Sequence, residues 1–177
     1  MTSQSVGGMR AASSRRDDGR GKSRACAIIP GVTLPFVDER SVEVGSDAAA
    51  AWDAVGQVMG GDAESRAVGV AVRLLGCREQ SATGSPIEDG STFPGWRVVE
   101  AERPSELAYE GEHRFARYRL AFHVDDLGPD RARVRAETRA AFPGAVGSAY
   151  RAMVIGSRGH VLAVRRMLGA IRRRAES

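Results

Sequence analysis

The chain has 177 residues, 42% of them hydrophobic, with a formal charge of +4 and a pI near 9.7, which is enough to bury one substantial core and argues for one domain plus a tail. The excess charge sits at the ends: residues 1–25 hold six basic groups against Asp17 and Asp18, and residues 165–177 hold five arginines against Glu176, so residues 26–164 carry a net charge of −4. A folded surface that reads nucleic acid through its phosphates is not indicated by that distribution, and no stretch approaches the roughly 18 apolar residues that would span a bilayer.

Residues 1–25 are rich in Ser, Gly, Arg and Asp with almost no large apolar side chains, so they are expected to form a disordered basic tail ahead of a folded unit at 26–177. Ala25–Val37 is broken by Pro30 and Pro35 and is not a signal peptide. Arg15 and Arg16 are followed by acid, not by an apolar run, so a twin-arginine signal is excluded as well. Cys26 and Cys77 are too few and too far apart for a disulfide framework or a zinc site. The expected location is a reducing cytoplasm.

Arg40–Val44 alternates as a strand does, and Ser46 is placed to cap the alanine-rich helix that follows. Trp52, Val55 and Met59 fall on one face of that helix, and Gly60 and Gly61 end it. Ala67–Leu75, rich in Val and Leu, reads as a strand, and Gly76–Ser91 as an irregular or mobile polar loop marked by Gly84, Pro86 and Gly90. From Thr92 onward a meander of four strands is predicted, at Trp96–Glu102, Leu107–Glu112, Phe115–Val124 and Arg131–Phe142. In the third, Tyr118, Leu120, Phe122 and Val124 share one face while Arg117, Arg119 and His123 share the other. The fourth repeats the pattern, with Ala132, Val134, Ala136, Thr138 and Phe142 inward and its arginines outward. One long amphipathic helix then runs to about Arg174, with Tyr150, Met153, Ser157, Val161, Val164, Leu168 and Ile171 as its apolar stripe. The arginines at 172–174 suit the negative end of its dipole.

This order of elements, with the opening Ser41-Val-Glu-Val-Gly-Ser-Asp-Ala-Ala-Ala-Ala-Trp52 and the later Phe93-Pro-Gly-Trp-Arg-Val-Val-Glu-Ala-Glu-Arg-Pro104, resembles the START/polyketide cyclase-dehydrase superfamily (SRPBCC) over roughly residues 38–174. The resemblance implies an α+β helix-grip fold: a curved antiparallel β-sheet wrapped around a long C-terminal α-helix, with a short helix after the first strand. It also implies an internal hydrophobic cavity, used across that family for lipids, hormones or polyketides, or for cyclising aromatic precursors. It carries over no shared catalytic set.

The candidate cavity residues are Trp52, Trp96, Tyr109, Tyr118, Phe122, Thr138, Tyr150 and His160, all expected to face inward; each taken singly is more often plain core than ligand contact, and the case for a cavity is collective. Arg114 joins them if it points inward, where it would anchor a carboxylate or enol oxygen. His160 is either a core-edge histidine bonded to a neighbour or a polar group over the cavity. His123 belongs to the wet face, and alternation separates His113 from Glu110, which argues against a metal there. No zinc-protease motif, nucleophile elbow, phosphate loop or nucleotide fingerprint occurs, and Gly156-Ser-Arg-Gly159 lacks the elbow spacing. No cofactor and no metal are therefore expected.

Binding or carriage of a small hydrophobic molecule, lipid or polyketide-like, is the leading expectation, by a monomer or homodimer. The alternatives are a polyketide aromatase/cyclase using His160, Tyr150, Thr138 or Arg114, and an interaction protein whose Arg-rich tail meets nucleic acid or another anionic surface.

Overall fold

The computed structural model describes residues 34–61 and 66–177; the expected tail at 1–25 and Cys26 lie outside the described residues. Six strands, β1 (Phe36–Val44), β2 (Thr92–Phe93), β3 (Trp96–Glu102), β4 (Glu106–His113), β5 (Ala116–Asp126) and β6 (Ala132–Ala141), form one antiparallel sheet in the order β1-β6-β5-β4-β3-β2. Helices α1 (Ala48–Gly61) and α4 (Gly159–Ala175) lie on its inner face, with α2 (Arg66–Leu75) and α3 (Gly144–Arg151) at the margins. This is the helix-grip arrangement that the element order predicts.

The inner face follows from period-two alternation. Leu120, Phe122 and Val124 of β5 stand opposite Thr138, Ala136 and Val134 of β6, and the apolar members pack against Trp52 and Val55 of α1 and Val164, Leu168 and Ile171 of α4. The outer face stays wet because its arginines meet carboxylates across the strands. Arg135 bonds Asp125 at 2.9 and 3.2 Å and reaches Glu39 at 3.3 Å, Arg133 meets Glu43 at 2.7 Å, and Arg119 meets Glu110 at 3.1 Å. Such exposed pairs contribute little stability, but they balance the charge of the β6 arginines. At the far end of α4, the Glu176 carboxylate accepts from the Gly45 amide at 3.0 Å and from Arg172 at 3.0 Å, which ties the helix to the β1–α1 junction.

Three local readings of the sequence are corrected. The α1 cap is Asp47, whose Oδ1 accepts the Ala50 amide at 2.7 Å, and not Ser46. Ala67–Leu75 is part of a helix and not a strand. A short Val/Leu run does not reveal its period by itself, but Val68, Val72 and Leu75 fall at steps of four and three, and they are the less exposed large side chains of α2. Gly76, at φ 67°, closes α2 in a Schellman arrangement, its amide reaching the Arg73 carbonyl at 3.1 Å and the Cys77 amide reaching that of Val72 at 2.9 Å.

The third correction is to the C-terminal helix, which is not continuous. After α3 the chain makes a π-turn at Ala152–Gly156, and Arg158 takes a left-handed φ of 60° before α4 begins. A side chain with a Cβ seldom adopts that conformation. The break resets the helical phase, so Met153, in the expected apolar stripe, is 61% exposed while Val164, Leu168 and Ile171 remain buried.

Candidate functional site

A two-residue turn of the sheet sets one wall of the site. Phe93 pairs with Trp96, leaving Pro94 and Gly95 as a two-residue turn with Gly95 at φ 85°, the left-handed position where glycine is favoured. The Gly95 carbonyl accepts the Tyr118 hydroxyl at 2.8 Å. Tyr118 stands opposite Gly111, and a Cβ there would lie 2.4 Å from the Tyr118 ring and 2.2 Å from the Gly95 oxygen. Only a glycine lets the ring lie across β4 in this way.

Tyr118 opens a run of aromatic rings. Trp96 packs on it at 4.8 Å between centroids and His113 at 5.5 Å, Tyr150 meets His113 edge-on at 5.1 Å, and Phe115 and Phe142 complete the group around Tyr150. Burial holds the Tyr118 and Tyr150 hydroxyls above the ordinary tyrosine range and the His113 imidazole below the ordinary histidine range. The Phe115 amide donates to His113 Nδ1 at 3.1 Å, which places the imidazole proton on Nε2.

Between these rings and α4 lies an apolar recess of about 300 Å³. Its floor is the inner face of β5 and β6, where Ala116, Thr138 and Ala140 are small. Its roof is Val154 and Ile155 of the π-turn with Val164 and Met167 of α4. A second recess of about 380 Å³ lies on the other side of Trp96, Ala163 and Met167, between α1, α2 and α4.

One polar group stands at the edge. His160 Nε2 meets Asp38 Oδ1 at 3.0 Å, and Asp38 is also bonded by Arg40 at 3.1 Å. Burial works against an ionised Asp38, but the hydrogen bonds from His160 and Arg40, with their charges, outweigh it and hold the carboxyl below the usual range. Asp38 is also the cross-strand partner of Thr138. The Thr138 hydroxyl is buried without a hydrogen-bond partner in the protein.

The structure distributes the nine sequence-predicted residues between recess, core and surface. Trp96, Tyr118, Thr138, Tyr150 and His160 line the recess together. Trp52, Tyr109 and Phe122 are buried in the core, Trp52 donating to the Glu106 carbonyl at 3.3 Å and Tyr109 to the Pro86 carbonyl at 3.0 Å. Arg114 sits at the tip of the β4–β5 hairpin, because His113 pairs with Ala116, and its guanidinium lies 5.6 Å from the Phe115 ring, outside the recess.

Sequence reasoning missed His113 as a lining residue, although Leu107, Tyr109 and Gly111 share its parity and signal an inward direction. It missed Leu75, Val154 and Ile155 because α2 was read as a strand and α3–α4 as one helix. Asp38 carried no local signal, since its partner lies 122 residues away.

Among the described residues, no cluster of His, Cys, Asp and Glu is arranged to hold a metal, and no helix is long and apolar enough to cross a membrane. No family model and no curated protein matches the sequence. Solved structures do match. Norcoclaurine synthase from Thalictrum flavum aligns with a TM-score of 0.51 at 13% identity, covering 94% of this chain and 97% of that one. The Zhui aromatase/cyclase from Streptomyces sp. R1128 aligns with a TM-score of 0.50 at 13% identity, covering 82% and 98%. At such identity a likeness fixes architecture and leaves activity open. With its six-stranded antiparallel sheet closed over by a C-terminal helix, the chain has the helix-grip fold that it shares with these two proteins.

Proposed function

We propose that this protein binds a small hydrophobic molecule in the recess between β5, β6 and α4. The observation that carries the reading is the lining: aromatic rings on one side and aliphatic side chains on the other, with His113, Thr138 and His160 among its polar members. Apolar walls with a few convergent polar atoms are what a small-molecule site requires, and about 300 Å³ is at the lower end of the usual range. The guest is accordingly compact.

The test is displacement by a side chain. Ala140 lines the floor and is 7% exposed, so Ala140→Phe projects a ring into the recess from a rigid strand. Wild-type protein is expected to quench or enhance the fluorescence of an apolar dye such as 1-anilinonaphthalene-8-sulfonate in a saturable one-site titration, and the variant to lose that titration while keeping its far-ultraviolet circular dichroism. Undiminished binding in a folded Ala140→Phe protein would remove the recess from consideration.

Catalysis is the second reading, and one observation favours it. A histidine held by an ionised carboxylate at the edge of an apolar recess is a group that can take and return a proton. The Zhui protein, which has the same fold, is an aromatase/cyclase. Turnover of a poly-ketone analogue that disappears in His160→Ala would select this reading over simple carriage.

A further inference from the structure

The two recesses share a wall. Trp96, Ala163 and Met167 line both of them, with about 300 Å³ on the side of β5 and β6 and about 380 Å³ on the side of α1 and α2. Taken singly, each space lies at the lower end of what small-molecule sites occupy. Joined, they offer roughly twice the volume of either, well inside the usual range. Whatever keeps them apart therefore limits the size of a guest.

The three members of that wall differ in how far they can yield. Trp96 is held edge-on by Tyr118 at 4.8 Å and by Tyr109 at 6.4 Å between centroids, and displacing it breaks both contacts. Ala163 has no side-chain torsion to turn, and its backbone is fixed in α4. Met167 is half-buried, packed against the margin of the core, and bordered by open space on two sides. Its unbranched thioether chain has three torsions, the most adaptable side chain an apolar wall can carry. Beyond it the second recess offers Val58, Met59, Val68 and Ala170, and Arg166 is its one charged lining residue among the described residues.

We propose that Met167 is the specificity-determining residue of the ligand site. In place, its side chain closes the first recess and confines the guest to a compact shape. Turned aside, it joins the two recesses and admits a longer apolar guest, which runs from β5 and β6 into the space between α1, α2 and α4. The proposal rests on the reading of the first recess as a ligand site and adds to it the residue that sets guest length. A long guest must displace the Met167 side chain and forfeit its packing on the core, so one flexible side chain carries the discrimination.

The experiment reads guest length with the straight-chain 1-alkanols from 1-pentanol to 1-dodecanol, titrated by calorimetry into the full chain. Each methylene that is buried strengthens binding roughly fourfold until the chain outgrows its cavity. In wild type that rise is expected to break off at an intermediate length. In Met167→Ala it should continue for further carbons, so that the longest members gain roughly tenfold or more over wild type while the short ones change little. Met167→Leu, a volume-conserving exchange, should keep the wild-type break. Met167→Ala combined with Ala170→Phe refills the second recess from α4 and should restore it. Far-ultraviolet circular dichroism checks that each variant is folded; should Met167→Ala not fold, Met167→Val takes its place, with a smaller shift in the same direction. A wild-type series that rises without a break, a break at the same length in the shortened variant, or a lengthened one that survives Ala170→Phe overturns the proposal and leaves the ligand site standing. Short-alkanol binding that Ala140→Phe does not reduce, or no alkanol binding at all, brings down the ligand site and this proposal together.

Discussion

The break between α3 and α4 makes a prediction that an uninterrupted helix would not. In one continuous amphipathic stripe, Met153 and Ile171 occupy equivalent inward positions, and truncating either to alanine would open a cavity of similar cost. In the structure they are opposites. Ile171 is 0% exposed against the α1–sheet core, whereas Met153 is 61% exposed on the π-turn. Ile171→Ala should therefore cost about 2–5 kcal/mol, the lost transfer free energy plus the residual cavity. For a chain of this size that is a fall in melting temperature of about 5–15 °C. Met153→Ala should stay within about 0.5 kcal/mol. Urea unfolding followed at 222 nm, analysed at a common m-value, measures both. If Met153→Ala costs as much as Ile171→Ala, the helix is continuous, the phase reset is wrong, and Val154 and Ile155 do not roof the recess.

Two further outcomes follow from the geometry around Tyr118. Gly111→Ala places a methyl 2.2 Å from the Gly95 oxygen, a backbone atom that cannot swing aside; chemical denaturation should register a loss of about 1–3 kcal/mol, as for other overpacked sites, and a silent substitution would contradict the close β4–turn approach. His113 gives a pH signature. Burial lowers its folded pKa below the unfolded value of about 6.5, so the unfolded chain binds the proton first. The contribution is complete above that value and is lost as pH falls from about 6.5 toward the folded pKa. Melting temperatures measured between pH 7.5 and 5 should fall more steeply for wild type than for His113→Asn, which keeps an acceptor for the Phe115 amide but does not titrate. Parallel pH curves for the two proteins would show that His113 is not buried in its neutral form.

What the sequence determined by itself was the alternation. Leu120, Phe122 and Val124 on β5 and Ala132, Val134 and Ala136 on β6 face inward because a strand's period of two leaves no other way to hide them. The same rule placed Tyr118 and Thr138 toward the helix side and the β6 arginines toward water. The periodic face of α1 was legible for the same reason, with Trp52, Val55 and Met59 buried as their spacing requires.

Tertiary structure decided what periodicity cannot encode. A run of ten Val- and Leu-rich residues at 66–75 has no strand neighbour to pair with in the order β1-β6-β5-β4-β3-β2, so it became a helix closed by Gly76. The π-turn and left-handed Arg158 broke a pattern that the sequence carried without interruption, and by doing so brought Val154 and Ile155 over the recess. The same limit separated lining from core: Trp52, Tyr109 and Phe122 are as inward as Tyr118 and Trp96, and which side chains border empty space depends on how neighbouring elements pack above them. The meeting of Asp38, Thr138 and His160 is the furthest from any local signal, because strand pairing and helix docking join residues 122 positions apart, and only the completed fold sets that distance.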